Sequence, residues 1–260
     1  MFDYEIVFTQ YPGHATELAA QAESDGFSIV AAVGGDGTIN EVARKLIGTD
    51  VSLAIVPFGS GNGLARSLKM PLHPEKIISE VINKNRFCYI DTARVNGVPF
   101  ISIAGFGLDA ETADDFAKSK RRGFVTYAIY ATHKFFTIHP QSCFVSLDGG
   151  EEFEVKPLMV TFANSNQFGY EALIAPHAKL DDGLLDVCFM DKPFLMSVPL
   201  MLGELMSGMI EHSHYVKIRK AKKIFVRRKQ NAVVNIDGES LMMDKNLLVE
   251  LVPRSLKILF

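Results

Sequence analysis

At 260 residues, 48% hydrophobic and 22% charged with a net charge of −3, the chain is composed like a globular protein that buries one large core or two modest ones, and nothing in its charge calls for nucleic acid. Its three cysteines, Cys88, Cys143 and Cys188, are far apart and form no CxxC pair, which argues against a disulfide framework and a zinc site. No basic-then-apolar signal segment opens the sequence and no apolar run reaches the roughly 18 residues that span a bilayer, so a soluble protein of a reducing cytoplasm is expected.

The first third alternates strand and helix signals. "YEIVFT" (4–9) reads as a strand, Ala15 to Glu23 as a helix, "FSIVAAV" (27–33) as a strand, Thr38 to Ile47 as a helix and "VSLAIVP" (51–57) as a strand. Such alternation predicts a parallel sheet covered on both faces, with ligands at the carboxyl ends of its strands. From about Phe87 the texture changes to short runs such as "FCYIDTARV", "PFISIAGFG", "CFVSLDG", "EFEVKPLMVTFAN", "LLDVCFM", "KIFVRR" and "AVVNIDG", which predict an antiparallel sandwich. Two helices interrupt it, roughly 109–138 and 193–211; the second, "PFLMSVPLMLGELMSGMI" (193–210), reads as buried or lying on a surface. The expected fold is α/β plus β: a nucleotide-binding unit over 1–90, a β-sandwich over 91–249, and a last run near 250–260 that can return to the first unit.

Two of the first three strands lead into glycine-rich turns. In the first, the amides of Gly34, Gly35 and Gly37 with a helix dipole behind them suit a phosphate, although Asp36 places a negative charge among them. Thr38-Ile39-Asn40-Glu41 matches a capping box, which gives Glu41 a purely structural reading. Asn40 stands where the third glycine of GxGxxG belongs, and neither turn ends in the Lys-Ser/Thr of a P-loop. The second turn, Gly59-Ser60-Gly61-Asn62-Gly63, repeats the device one strand along. One such loop is as often a tight turn as a ligand site; two on neighbouring strands can hold a polyphosphate with a base or ribose.

Two acidic motifs follow. "KLDDGLLD" (179–186) could offer oxygens to a hard cation or be a hairpin turn, and "NIDGES" (235–240) sets Asp237 before a glycine at a strand end. The segment "KIRKAKKIFVRRK" (217–229) carries eight Lys or Arg and no acid, and "KSKRR" (118–122) four more; a solvated strand face and an anionic membrane surface are both open readings. No HExxH and no GxSxG elbow is present.

In order along the chain, "GGDGTINEV", "PFGSGNGLARSL", "IAGFGLDAE", "IAPHAKLDDGLLDV" and "NIDGE" resemble the diacylglycerol kinase catalytic-domain family, which includes bacterial soluble lipid kinases and sphingosine kinases. The resemblance implies an α/β domain and a β-sandwich domain with ATP between them, and γ-phosphate transfer to a hydroxyl of diacylglycerol or a related lipid. It implies that Gly34, Gly35, Asp36, Gly37, Thr38, Ile39 and Asn40 bind ATP phosphates, and that Gly59, Ser60, Gly61 and Asn62, with Thr9 and Glu239, complete the nucleotide site. Asp237 matches the general base. The carbonyls of Lys179 and Leu184 with the Asp182 carboxylate match a structural magnesium site. Relatives begin with a further strand before "YEIVFT", Gly169 stands alone where many carry a run of glycines, and "GSGN" is closer to sphingosine kinases. A sphingoid base, NAD, or a non-catalytic binding role therefore stay open. Peripheral contact with an anionic membrane follows from a lipid substrate; oligomeric state is not readable, and exposed strand edges leave a homodimer open.

Overall fold

The computed structural model describes residues 3–77, 86–119 and 124–260. The first unit comprises α1 (His14–Ser24), β1 (Ile29–Gly34), α2 (Asp36–Leu46), β2 (Ser52–Pro57), α3 (Gly63–Ser67) and the single turn α4 (Pro74–Lys76). β1 and β2 pair in parallel, Ile29 opposite Ser52 through Gly34 opposite Pro57. Every residue of β2 is buried, as its uninterrupted apolar run requires of a strand covered on both faces. α2 supplies part of that cover with Ile39, Val42, Ala43 and Leu46, whose three- and four-residue spacing makes one apolar stripe.

Residues 4–9 depart from the expectation. They form no strand, and Tyr4, Ile6, Val7 and Phe8 are exposed. A strand is a relation between neighbours, satisfied by interchain-like backbone pairing, and among the described residues none lies beside this segment or on the free edge of β1.

The second unit holds β3 (Phe87–Val95), β4 (Val98–Phe100), β5 (Ile103–Gly107), α5 (Leu108–Lys118), α6 (Phe124–Thr137), β6 (Cys143–Leu147), β7 (Phe153–Val155), β8 (Met159–Ala163), β9 (Leu185–Met190), α7 (Val198–Ser207), β10 (Val216–Ala221), β11 (Lys223–Arg227), β12 (Ala232–Ile236), β13 (Glu239–Met243) and β14 (Asn246–Leu259). "EFEVKPLMVTFAN" is thus two strands in different sheets, β7 and β8, divided at Pro157, which has no amide to donate to a ladder. Residues 120–122 of the basic run 118–122 lie outside the described residues.

One sheet runs β1-β2-β14-β11-β6-β7, with β3 and β4 attached at β14; the other runs β10-β9-β8-β5-β12-β13 and is antiparallel throughout. Between them Phe100, Phe162, Val187, Ile224, Ile236 and Val249 form the sandwich core. β14 crosses from one unit to the other. Residues 246–250 pair with β11, while Ile258 and Leu259 run parallel to Leu53 and Ala54 of β2. β3 follows β14 along both parts, with an irregularity between Val252 and Leu256 that lets one strand serve two differently twisted regions.

Candidate active site

Both glycine turns lie at the carboxyl ends of the parallel strands and touch each other. α2 begins at Asp36, three residues before the capping box would start it, with Gly35 as its N-cap. Glu41 therefore does not cap its own helix; its carboxylate accepts the amides of Gly13 at 2.9 Å and Ala15 at 3.2 Å and caps α1 instead. The N-cap Gly35 has no side chain to offer, so the positive end of α2 is left open to an anion.

Asp36 Oδ1 accepts the Gly63 amide at 2.7 Å and joins the first turn to the second. A Cβ on Gly59 would lie 2.6 Å from Gly35 Cα, so glycine there is demanded by backbone contact, while one on Gly61 would lie 2.8 Å from the side-chain Oδ2 of Asp36. Asn62, at φ 50°, accepts the Gly59 amide at 3.0 Å and donates to the Gly59 carbonyl at 2.8 Å, closing the second loop on itself. The third wall is the segment 166–171: the Ser60 hydroxyl meets the Tyr170 hydroxyl, Arg66 pairs with Glu171 at 2.7 Å, and Gly169 backs onto Gly61 and Gly63.

Two of the residues named from sequence point away from this opening. Ile39 is fully buried in the core and its amide is spent on the Gly35 carbonyl, so it has no group for a phosphate. Asn40 is buried and donates to the Asp237 carbonyl at 3.2 Å, which makes it a link to the second unit. Thr9 lies in the exposed 3–10 segment.

The Asp237 assignment changes most. Asp237 and Gly238 turn β12 into β13 at φ 51° and 91°. The Asp237 side chain is 0% exposed, with Oδ2 accepting the Ile101 amide at 2.8 Å and Oδ1 the amides of Ser102 and Ile103 at 2.9 and 3.0 Å. Burial pushes its carboxyl above the ordinary value, while those amides and Arg44 pull it back. Such a carboxylate braces the hairpin against the start of β5. The exposed acid of the same turn is Glu239, 49% exposed and paired with Arg44 at 2.7 Å.

Arg44 is the residue that sequence reading missed. Its guanidinium also donates to the Ile236 carbonyl at 3.1 Å. The available signal was spacing: Asp36, Asn40 and Arg44 recur every four residues, and that one stripe of α2 holds the second glycine loop, the Asp237 carbonyl and Glu239 in succession. The hairpin is propped from its other side by Asn235, whose Oδ1 accepts the Gly238 amide at 2.9 Å and whose amide donates to half-buried Asp109; Tyr127 also donates to Asp109, at 2.7 Å.

In the 179–186 loop, Asp182 accepts the Leu184 amide at 3.1 Å and the Lys220 ammonium at 3.2 Å, and buried Asp186 holds the same ammonium at 2.8 Å. Among the described residues no group of three or more His, Cys, Asp or Glu is placed to hold a metal. Lys179, Asp182 and Leu184, the oxygen donors that the resemblance implies for a hard cation, lie on this loop, where Asp182 is already engaged by Lys220. Half of the eight basic residues of 217–229 are committed: besides Lys220, Lys223 pairs with Glu250, Arg227 with Glu152, and Arg228 is buried against the carbonyls of Met243 and Asp244.

Residues 1–95 match the family described as the diacylglycerol kinase catalytic domain, and residues 102–260 the YegS C-terminal NAD kinase beta sandwich-like domain. The chain is 33% identical over 238 residues to a lipid kinase YegS-like protein of Pseudomonas aeruginosa, covering 88% of this chain and 76% of that one. It is 29% identical to a Bacillus subtilis diacylglycerol kinase over 236 residues, or 89% and 77% of the two chains. In fold it resembles a Bacillus anthracis diacylglycerol kinase structure, with a TM-score of 0.75 at 22% identity over 97% of this chain and 83% of that one. An Archaeoglobus fulgidus NAD kinase solved with ATP gives a TM-score of 0.54 at 14% identity over 97% and 90%.

Proposed function

Because the chain belongs to the diacylglycerol kinase catalytic-domain family and is a lipid kinase, we propose that it transfers the γ-phosphate of ATP to a hydroxyl of diacylglycerol or a closely related lipid. The observation that carries this reading is the join of the two glycine turns by Asp36 and Gly63 at the open end of α2. Amides of Gly34, Gly35, Gly37 and Thr38 and of the second loop receive the phosphates, with Ser60 and Thr9 toward the rest of the nucleotide. The site lies between a unit of residues 1–90 and one of 91–249.

Glu239 takes the place first expected of Asp237. Released from Arg44, its carboxylate accepts the proton of the lipid hydroxyl as the hydroxyl oxygen attacks phosphorus and the bond to ADP breaks. Asp237 and Asn40 fix the turn that presents it. Lys179, Asp182 and Leu184 would hold a structural magnesium ion, separate from the one that accompanies ATP, and such an ion would stiffen the 179–186 loop. We place the enzyme in the cytoplasm with peripheral contact to the membrane, its product feeding phospholipid synthesis.

A sphingoid base is the second acceptor, favoured by Ser60 and the "GSGN" loop. The test is transfer from labelled ATP to a panel of diacylglycerols and sphingoid bases, with NAD as the soluble alternative. Label in diacylglycerol supports the proposal; label in NAD without lipid, or nucleotide binding with no transfer to any acceptor, refutes it.

A further inference from the structure

The stretch 193–210 is packed on one side only. It forms a short 3-10 turn, Leu195–Ser197, followed by α7, in which Met201 and Leu205 join a core with Ile174, Ala175, Met190 and Ile210. The opposite side is apolar and bare, with Met196 94% and Leu200 68% exposed and Phe194, Leu202, Met206 and Met209 at least half exposed. Between Phe194 and Met209, Glu204 is the one charged residue. A helix face turned to water ordinarily carries charge; a contiguous apolar surface of this kind marks a contact.

The surface continues beyond α7. Lys192 donates to the Ile138 carbonyl at 3.0 Å and sits 5.3 Å above the Phe135 ring, which ties the end of α6, where Phe136 is exposed, to the start of this stretch. At the other end His177, Glu211 and His212 form a polar rim. The surface also borders the candidate active site. The segment that places Tyr170 and Glu171 on the second glycine loop continues to Leu173, whose amide donates to the Leu205 carbonyl of α7 at 2.9 Å and whose side chain lies beside Gly208.

We propose that the bare face of α7, with the end of α6, inserts into the boundary between headgroups and acyl chains of a lipid bilayer and seats the mouth of the active site on it. This rests on reading the chain as a kinase of a membrane lipid. Three observations select a bilayer as the occupant. The face adjoins the entrance used by a substrate dissolved in that bilayer. α7 has 10 residues, about 15 Å, which suits a helix lying in the interface and not one crossing it. Lys192 lies at its edge, and in the 217–229 segment Lys220, Lys223 and Arg227 are paired with acids within the protein, so insertion of apolar side chains supplies the attachment.

The experiment is co-sedimentation of the full chain with neutral phosphatidylcholine vesicles in high salt, beside the double variant Met196→Glu, Leu200→Glu. Wild type is expected to bind, and the variant to bind about a hundredfold more weakly, two inserted side chains being lost. Because both positions are exposed, the melting temperature stays unchanged. Phosphorylation of a long-chain lipid in vesicles falls in parallel, while that of a short-chain, water-dispersed analogue does not. A fluorophore on Met196→Cys, with wild type as the labelling control, shifts to the blue on vesicles. Equal vesicle binding by wild type and variant overturns the proposal. So does wild-type binding that requires anionic lipid and is abolished by salt, or a wild-type dimer that the variant dissociates, which would make a second copy the occupant. Vesicle binding is read without turnover, so failure to phosphorylate any lipid would sink the kinase assignment and leave this result standing on its own.

Discussion

Asp36 accepts the amide of Gly63 at 2.7 Å, so the acid inside the first glycine turn acts on the second one. Replacing Asp36 by Ala removes a charge-assisted bond and is expected to weaken ATP binding roughly ten- to a hundredfold. Asp36→Asn retains an acceptor oxygen for Gly63 and loses less. Calorimetric titration with ATP, comparing the two variants, checks the order; equal losses would mean that the charge, and not the join, is what matters.

The closeness of the two turns makes the glycines unequal. A methyl group on Gly59 meets the Gly35 backbone, whereas one on Gly61 meets the carboxylate of Asp36, which can swing aside. Gly59→Ala is therefore expected to lower both melting temperature and ATP affinity, the backbone strain costing on the order of 1–3 kcal/mol. Gly61→Ala should affect affinity and leave stability nearly intact. Thermal melts with and without ATP separate the two.

Glu239→Gln is expected to lower kcat by about 10²- to 10⁴-fold, the contribution of a positioned proton acceptor. Its melting temperature should move little, since a half-exposed pair with Arg44 contributes at most about 1 kcal/mol. Unchanged kcat in Glu239→Gln would remove it from the proposed chemistry.

Asp237→Asn should fail differently. An amide cannot accept from all three of Ile101, Ser102 and Ile103, so the variant loses about 2 kcal/mol or more of stability. With its folded-state pKa raised from 3.8, native Asp237 binds its proton more tightly than in the unfolded chain. Its contribution to stability is thus fully present below the ordinary value and declines as pH rises through the folded one. Urea melts should accordingly show a larger wild-type advantage over Asp237→Asn in acid than at neutral pH.

What could be read from the sequence was whatever backbone geometry writes into residue identity. The glycine turns and the Asp-Gly hairpin belong here, because few residues tolerate those conformations. What could not be read were relations between distant parts. "NIDGE" announces a turn, yet the direction of the Asp237 carboxylate depends on three amides more than 130 residues away. The pattern of 4–9 announces strand propensity, but pairing depends on what lies beside it. The capping box at Thr38 was a local rule overruled when the helix started three residues earlier, at Asp36 with Gly35 as its N-cap.

β14 gives the molecule a mechanical character. It is hydrogen-bonded to β2 at one end and to β11 at the other, with β3 alongside both parts, so the two lobes share a continuous splint and not a linker. A splinted pair cannot swing shut like jaws. Access to the cleft must come from smaller displacements at its lip, such as the 166–171 segment, and denaturant should dismantle both lobes in a single transition where a hinged enzyme would show two.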